Sequence, residues 1–138
     1  RPSAADFPRL VESPADLAKH ATIAMVRNGP PQWPLRGPHG EEVVMPIDPR
    51  FQSNNMVALK EAACASLGIA ALPGYICRNE LRTGALQQLL PDWSAADARI
   101  SALIPFRTGL LPAVRSLVDF LAVEIPVITA FDHPLHFE

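Results

Sequence analysis

The amino-acid sequence predicts an α/β fold, a sheet layered by helices, and three observations carry that expectation. Short apolar, β-prone runs alternate along the chain with segments of helical spacing. Hydrophobic residues make up 49% and charged residues 19%, the balance of a globular chain rather than a disordered tail. A chain of 138 residues can build one core and not two. Twelve Lys and Arg against 14 Asp and Glu leave a net charge of −2, with no global basic field for gripping phosphates. The chain is therefore a poor candidate for a DNA-binding domain in itself. Its 15 prolines, about twice ordinary usage, predict short helices and stiff loops.

Ser13-Pro14-Ala15-Asp16-Leu17 is a helix start. Ser13 suits the N-cap, Pro14 sits where its missing donor is harmless, and Asp16 favours the positive helix end. Thr22–Val26 follows as a buried strand, and Asn28-Gly29-Pro30-Pro31 forces an irregular loop. A hairpin comes next, with Gln32–Arg36 as one arm and Gly37-Pro38-His39-Gly40 as the turn. The other arm is expected to run from Glu41 to Phe51, with Pro46 and Pro49 confining it to a sheet edge.

Ser53-Asn54-Asn55 caps a helix that runs through Leu67 and closes at Gly68, with Met56, Leu59, Ala63 and Leu67 on one side. Ile69–Pro73 is a short buried strand, and Tyr75–Leu81 a short helix ended at Gly84. Strands are expected over Leu86–Leu90 and Ile100–Pro105. The last helix starts at Pro112, carries Val114, Leu117, Val118, Leu121 and Ile125 on one face, and stops at Pro126. The sequence holds neither an internal repeat nor a low-complexity tract.

The order of these elements carries a resemblance. Arg50 to Ala63 followed by Leu67-Gly68-Ile69-Ala70-Ala71-Leu72-Pro73 resembles the "SND…ALREAALAGLGIALLP" core of LysR-type transcriptional regulators. Ser13 to His20 resembles the "xPEDLAxH" segment of that family, Gly84 to Trp93 its "GxLVxVLxDW", and Leu111 to Leu121 its "SPRVRAFIDFL". Together the four segments span about residues 13–125 in the family's order. The resemblance implies a periplasmic-binding-protein-like (type 2) effector domain, present here as its C-terminal part. Residues 1–85 would be most of subdomain II, and 86–125 the segment that crosses back to finish subdomain I. Residues 126–138 would be a tail.

By the same resemblance, the function expected is effector sensing and dimerisation in a bacterial transcriptional regulator. A small metabolite, a carboxylate or an aromatic, would bind between subdomains and shift the arrangement of paired DNA-binding domains. DNA would be contacted only through an N-terminal winged helix-turn-helix that this chain does not contain. The family places its effector near the loop after the strand corresponding to Thr22–Val26, which carries the binding role onto Met25, Val26 and Arg27. From the residues themselves, Ser53, Asn54 and Asn55 offer hydroxyl and amide groups at a helix N-terminus. Such a corner can bind an anion, while Ser53 or Asn54 also serves as the N-cap.

The remaining chemistry is sparse. Cys64 and Cys77 form no disulfide framework and read as small core residues, with a redox-sensing pair as the sharper alternative. Asp132-His133-Pro134-Leu135-His136 could mimic a metal corner, but Pro134 breaks the spacing that helical ligands need. Trp33 and Trp93 read as packing anchors. The sequence contains no GxSxG, HExxH, GxGxxG or P-loop signature, so no catalytic residue, metal or cofactor is expected. A stand-alone small-molecule-binding or enzymatic α/β domain is the alternative. No apolar run of 18 residues and no signal-type segment occur, so a cytoplasmic protein with no membrane contact is expected. Unpaired edges at Thr22–Val26 and Ile100–Pro105, and the apolar face of the last helix, are expected to drive a homodimer or higher oligomer.

Overall fold

A computed structural model describes residues 11–95, 100–104 and 111–130. The chain divides into two units, Arg1–Asp97 and Ala98–Glu138. Among the described residues the first holds six strands, β1 (Thr22–Met25), β2 (Gln32–Arg36), β3 (Glu42–Pro46), β4 (Pro49–Ser53), β5 (Ile69–Ala70) and β6 (Ser94–Ala95). It also holds a short 3-10 helix at Pro14–Lys19, then α1 (Met56–Cys64) and α2 (Gly74–Thr83).

The candidate site is built on a three-stranded parallel sheet in the order β4-β1-β5. Its central strand reads Thr-Ile-Ala-Met, short and apolar, as a strand covered on both faces should. Ile23 is fully buried and packs with Leu59 and Ala62 of α1, and Met25 joins the same cluster. Thr22 and Ala24, one residue out of step, therefore face away from α1. The β4-α1-β5 segment crosses over β1, so β1 lies at the centre of the sheet and not at the edge expected for Thr22–Val26. Gly68 lets β5 start close in. A Cβ there would lie 2.6 Å from the Ala21 carbonyl oxygen, which accepts the Ile69 N–H at 2.8 Å.

The second sheet is antiparallel, in the order β3-β2-β6. The β2–β3 hairpin has the expected turn, where Gly40 adopts φ +84° and the Gly37 N–H reaches the Glu41 carbonyl at 2.8 Å. The second arm does not run on to Phe51. It ends at Pro46, and residues 49–53 leave for the parallel sheet. Prolines 46 and 49 lack the N–H groups that would continue one ladder, which makes the intervening Ile47-Asp48 a natural switch point. Trp33 and Leu35 point inward to a core with Val11, Leu17 and Leu90, against which Trp93 packs.

The strand expected over Leu86–Leu90 is absent. The Leu86 N–H folds back to the Glu80 carbonyl at 3.0 Å, and Leu90 takes a left-handed φ of +51° while its side chain is buried. The pairing falls instead to Ser94 and Ala95, against Arg36 and Leu35. The helix from Met56 is shorter than expected, ending at Cys64 with a turn through Ser66 at φ +60° before Gly68. Helix α2 closes at Gly84 with φ +76°, as expected.

In the second unit, Ile100–Ile104 has no regular structure, contrary to the strand expected there, and Pro105 lies outside the described residues. A short strand needs a partner for its N–H and C=O groups. Helix α3 spans Pro112–Thr129 and runs through Pro126 rather than stopping at it. A proline costs a helix the bond to the carbonyl four residues earlier, and here that carbonyl belongs to exposed Ala122, where water can replace the donor. The last turn is closed by the Thr129 hydroxyl on the Ile125 carbonyl at 2.7 Å. No residue of α3 is fully buried.

Candidate functional site

The six candidate residues lie on one edge of the parallel sheet. Met25 ends β1 and Ser53 ends β4, and the two are register partners. The ladder extends one step further, where the Val26 N–H donates to the Ser53 carbonyl at 3.2 Å. Val26 and Arg27 therefore leave β1 beside the point where Ser53-Asn54-Asn55 leaves β4 for α1. Two stretches more than 20 residues apart in sequence become neighbours because their strands are parallel. Carboxyl ends of parallel strands are where open α/β sheets bind ligands.

The corner is tied together by its own polar groups. The Asn55 N–H donates to Ser53 Oγ at 3.0 Å. Asn55 Oδ1 in turn accepts from the Val57 and Ala58 N–H groups at 2.9 and 3.3 Å. Asn55 is thus the N-cap, not Ser53 or Asn54 as the sequence suggested. The cause is that β4 continues through Ser53, which pushes the first helical residue to Met56. The side chain of Asn55 is consequently engaged with its own helix. Ser53 Oγ receives the Asn55 N–H, and a hydroxyl that accepts can also donate. Asn54, Val26 and Arg27 are exposed, while Met25 and Ser53 are half-buried. Arg27 and the positive end of α1 give the edge a local charge suited to a carboxylate.

A third segment reaches this edge without having been singled out in the sequence. Ala71-Leu72-Pro73 follows β5, the other parallel neighbour of β1, and all three are half-buried. In the sequence they read as the end of a short strand and as part of the family-like Leu67–Pro73 segment, and the parallel pairing that brings them here cannot be read from composition.

Behind the edge, α1 and α2 are joined by an ion pair between Lys60 Nζ and Glu80 Oε1 at 2.5 Å. Each side chain is only 16% exposed. The Lys60 ammonium lowers the Glu80 carboxyl below its usual range, and hydrogen bonding to Glu80 raises the Lys60 amine above its own. Cys77 is buried and Cys64 half-buried, and burial pushes both thiols up, away from the reactive thiolate. Among the described residues, no three His, Cys, Asp or Glu side chains come together as a metal site. His133 and His136 lie outside those residues. No helix among the described residues is long and apolar enough to cross a membrane.

Comparison with known proteins places this geometry in context. Residues 3–125 match the family model of the LysR substrate binding domain. The chain is 27% identical over 122 residues to the Probable HTH-type transcriptional regulator LtrA of Klebsiella pneumoniae, covering 86% of this chain and 39% of LtrA. It thus spans about two-fifths of that relative's length. Among solved structures, the regulatory domain of AphB from Vibrio vulnificus aligns at 32% identity with a TM-score of 0.53, over 59% of this chain and 41% of AphB's. The same domain treated with cumene hydroperoxide aligns over 88% of this chain and 60% of its own, at TM-score 0.65 and 24% identity, a likeness of fold.

Proposed function

The chain belongs to the LysR substrate-binding domain family, and from that premise we propose that it senses a small carboxylate or aromatic metabolite at the edge formed by Met25, Val26, Arg27, Ser53, Asn54 and Asn55. The observation that carries the site is the Met25–Ser53 register, which sets Arg27 and the Ser53 hydroxyl beside the α1 N-terminus. Arg27 supplies the charge, Ser53 and Asn54 hydrogen-bond donors, and Met25 and Val26 apolar surface.

The sensor works within a longer cytoplasmic regulator, in which the effector biases how paired winged helix-turn-helix domains meet DNA. The first unit, Arg1–Asp97, forms most of subdomain II, and the second, which carries α3, returns to subdomain I. The protein acts as a homodimer or higher oligomer and as a sensor rather than a catalyst.

Titration with benzoate and with acetate, followed by amide NMR, tests the site. Saturable shifts at Met25–Arg27 and Ser53–Met56 that Arg27→Ala weakens about tenfold or more support it, as expected for a lost charge-assisted hydrogen bond. Shifts confined to other residues overturn it.

A further inference from the structure

We propose a second small-molecule site at the opposite end of β1, a cavity that takes a short alkylammonium group. The cavity measures about 310 Å³ and is lined by Leu17, His20, Thr22, Pro46, Ile47 and Asp48 among others. That volume sits at the lower end of the range for small-ligand pockets.

Two independent observations point to a ligand. The first is Thr22, which is 2% exposed and whose hydroxyl oxygen has no hydrogen-bond partner among the described residues. Its direction follows from the strand. Ile23 and Met25 pack toward α1, so the Thr22 side chain points to the other face, where Leu17 and Ile47 stand. A buried hydroxyl left unpaired is unfavourable, and a donor arriving in the cavity relieves it.

The second is the chemistry of the wall. Asp48 and Thr22 both line the cavity, so a carboxylate and the orphan hydroxyl border the same space. A carboxylate only accepts hydrogen bonds and a hydroxyl accepts as well as donates. Both are served by a group that carries several N–H donors and a positive charge. Leu17, Pro46 and Ile47 supply apolar surface for a short alkyl chain. An anion meets Asp48 at the wall, and a purely apolar molecule leaves the Thr22 hydroxyl unpaired. The ammonium fits where those two do not.

The test is amide NMR on the full chain, titrated separately with n-propylammonium chloride, n-propanol and sodium chloride. Saturable shifts at His20, Thr22 and Asp48 are expected with n-propylammonium alone. Asp48→Asn, at an exposed position, is expected to weaken that response roughly tenfold, the loss of a charge-assisted bond. Thr22→Val weakens it while Thr22→Ser retains it, which separates the hydroxyl from strand packing. Should Thr22→Val fail to fold, the Asp48→Asn and Thr22→Ser results decide. Non-saturating shifts, an equal response to n-propanol, or an unchanged response in Asp48→Asn each overturn the proposal.

Discussion

The Val26 N–H meets the Ser53 carbonyl at 3.2 Å, one step beyond the last register pair of β1 and β4. This bond fixes where Arg27 leaves the sheet relative to the start of α1. The stability of that corner rests on Asn55, which closes two first-turn amides.

Asn55→Ala should lower unfolding free energy by about 0.5–2 kcal/mol, the usual cost of losing an N-cap side chain. Asn55→Asp should keep most of it, since a carboxylate also accepts from those amides and favours the helix N-terminus. Urea titration at neutral pH checks both. Equal losses in the two variants would show that the cap is not what holds the helix start.

Gly68→Ala should destabilise by about 1–3 kcal/mol, the range for forced overpacking. The added Cβ would stand 2.6 Å from a backbone oxygen rather than a flexible side chain, so β5 must move. Thermal melting is the direct measurement, and an unchanged melting temperature would contradict the close approach of β5 to Ala21.

The Lys60–Glu80 pair sets a pH dependence with two limbs. Glu80 is lowered from about 4.5, so its contribution is full above that value and is lost as pH falls through the folded-state value. Lys60 is raised from about 10.5, so its contribution is full below that value and is lost as pH rises through the folded-state value. Lys60→Met should melt lower than the parent at pH 7, with the difference shrinking toward pH 3 as the unpaired Glu80 takes up a proton. A deficit independent of pH would assign the effect to packing alone.

Leu117, Phe120 and Val123 of α3 are 55%, 58% and 64% exposed. Apolar surface of this kind promotes association. Sedimentation equilibrium at micromolar concentration should show self-association that Phe120→Glu reduces. A monomer in both cases would remove α3 from the assembly.

Much of the fold was legible because the informative signals were local. Gly84 ends α2, the Gly37–Gly40 turn closes the hairpin, and β1 is a continuous apolar run. Local signals failed where the answer depended on a distant partner. Pro49–Ser53 reads as the continuation of a hairpin arm, yet it pairs in parallel with Thr22–Met25 in another sheet. Leu86–Leu90 has the composition of a strand, but the left-handed Leu90 turns it into a corner that plugs a core. The candidate residues were individually visible as a strand end and a helix start. Their adjacency was not, because it comes from strand order.

The order of the parallel sheet also bears on how the chain is made. Strand β1 is the centre of its sheet, yet both of its partners lie downstream, at residues 49–53 and 69–70. At ribosomal rates of about 5–20 residues per second, roughly 2–9 s separate the synthesis of Met25 from that of Ala70. Until Ser53 is made the Thr-Ile-Ala-Met segment has neither neighbour, until Cys64 no complete α1 covers Ile23, and until Ala70 one flank of β1 stays unpaired. Nascent chains stalled before Pro49 should therefore be the ones most readily bound by chaperones that hold apolar extended segments. Release should follow once β5 has cleared the ribosome.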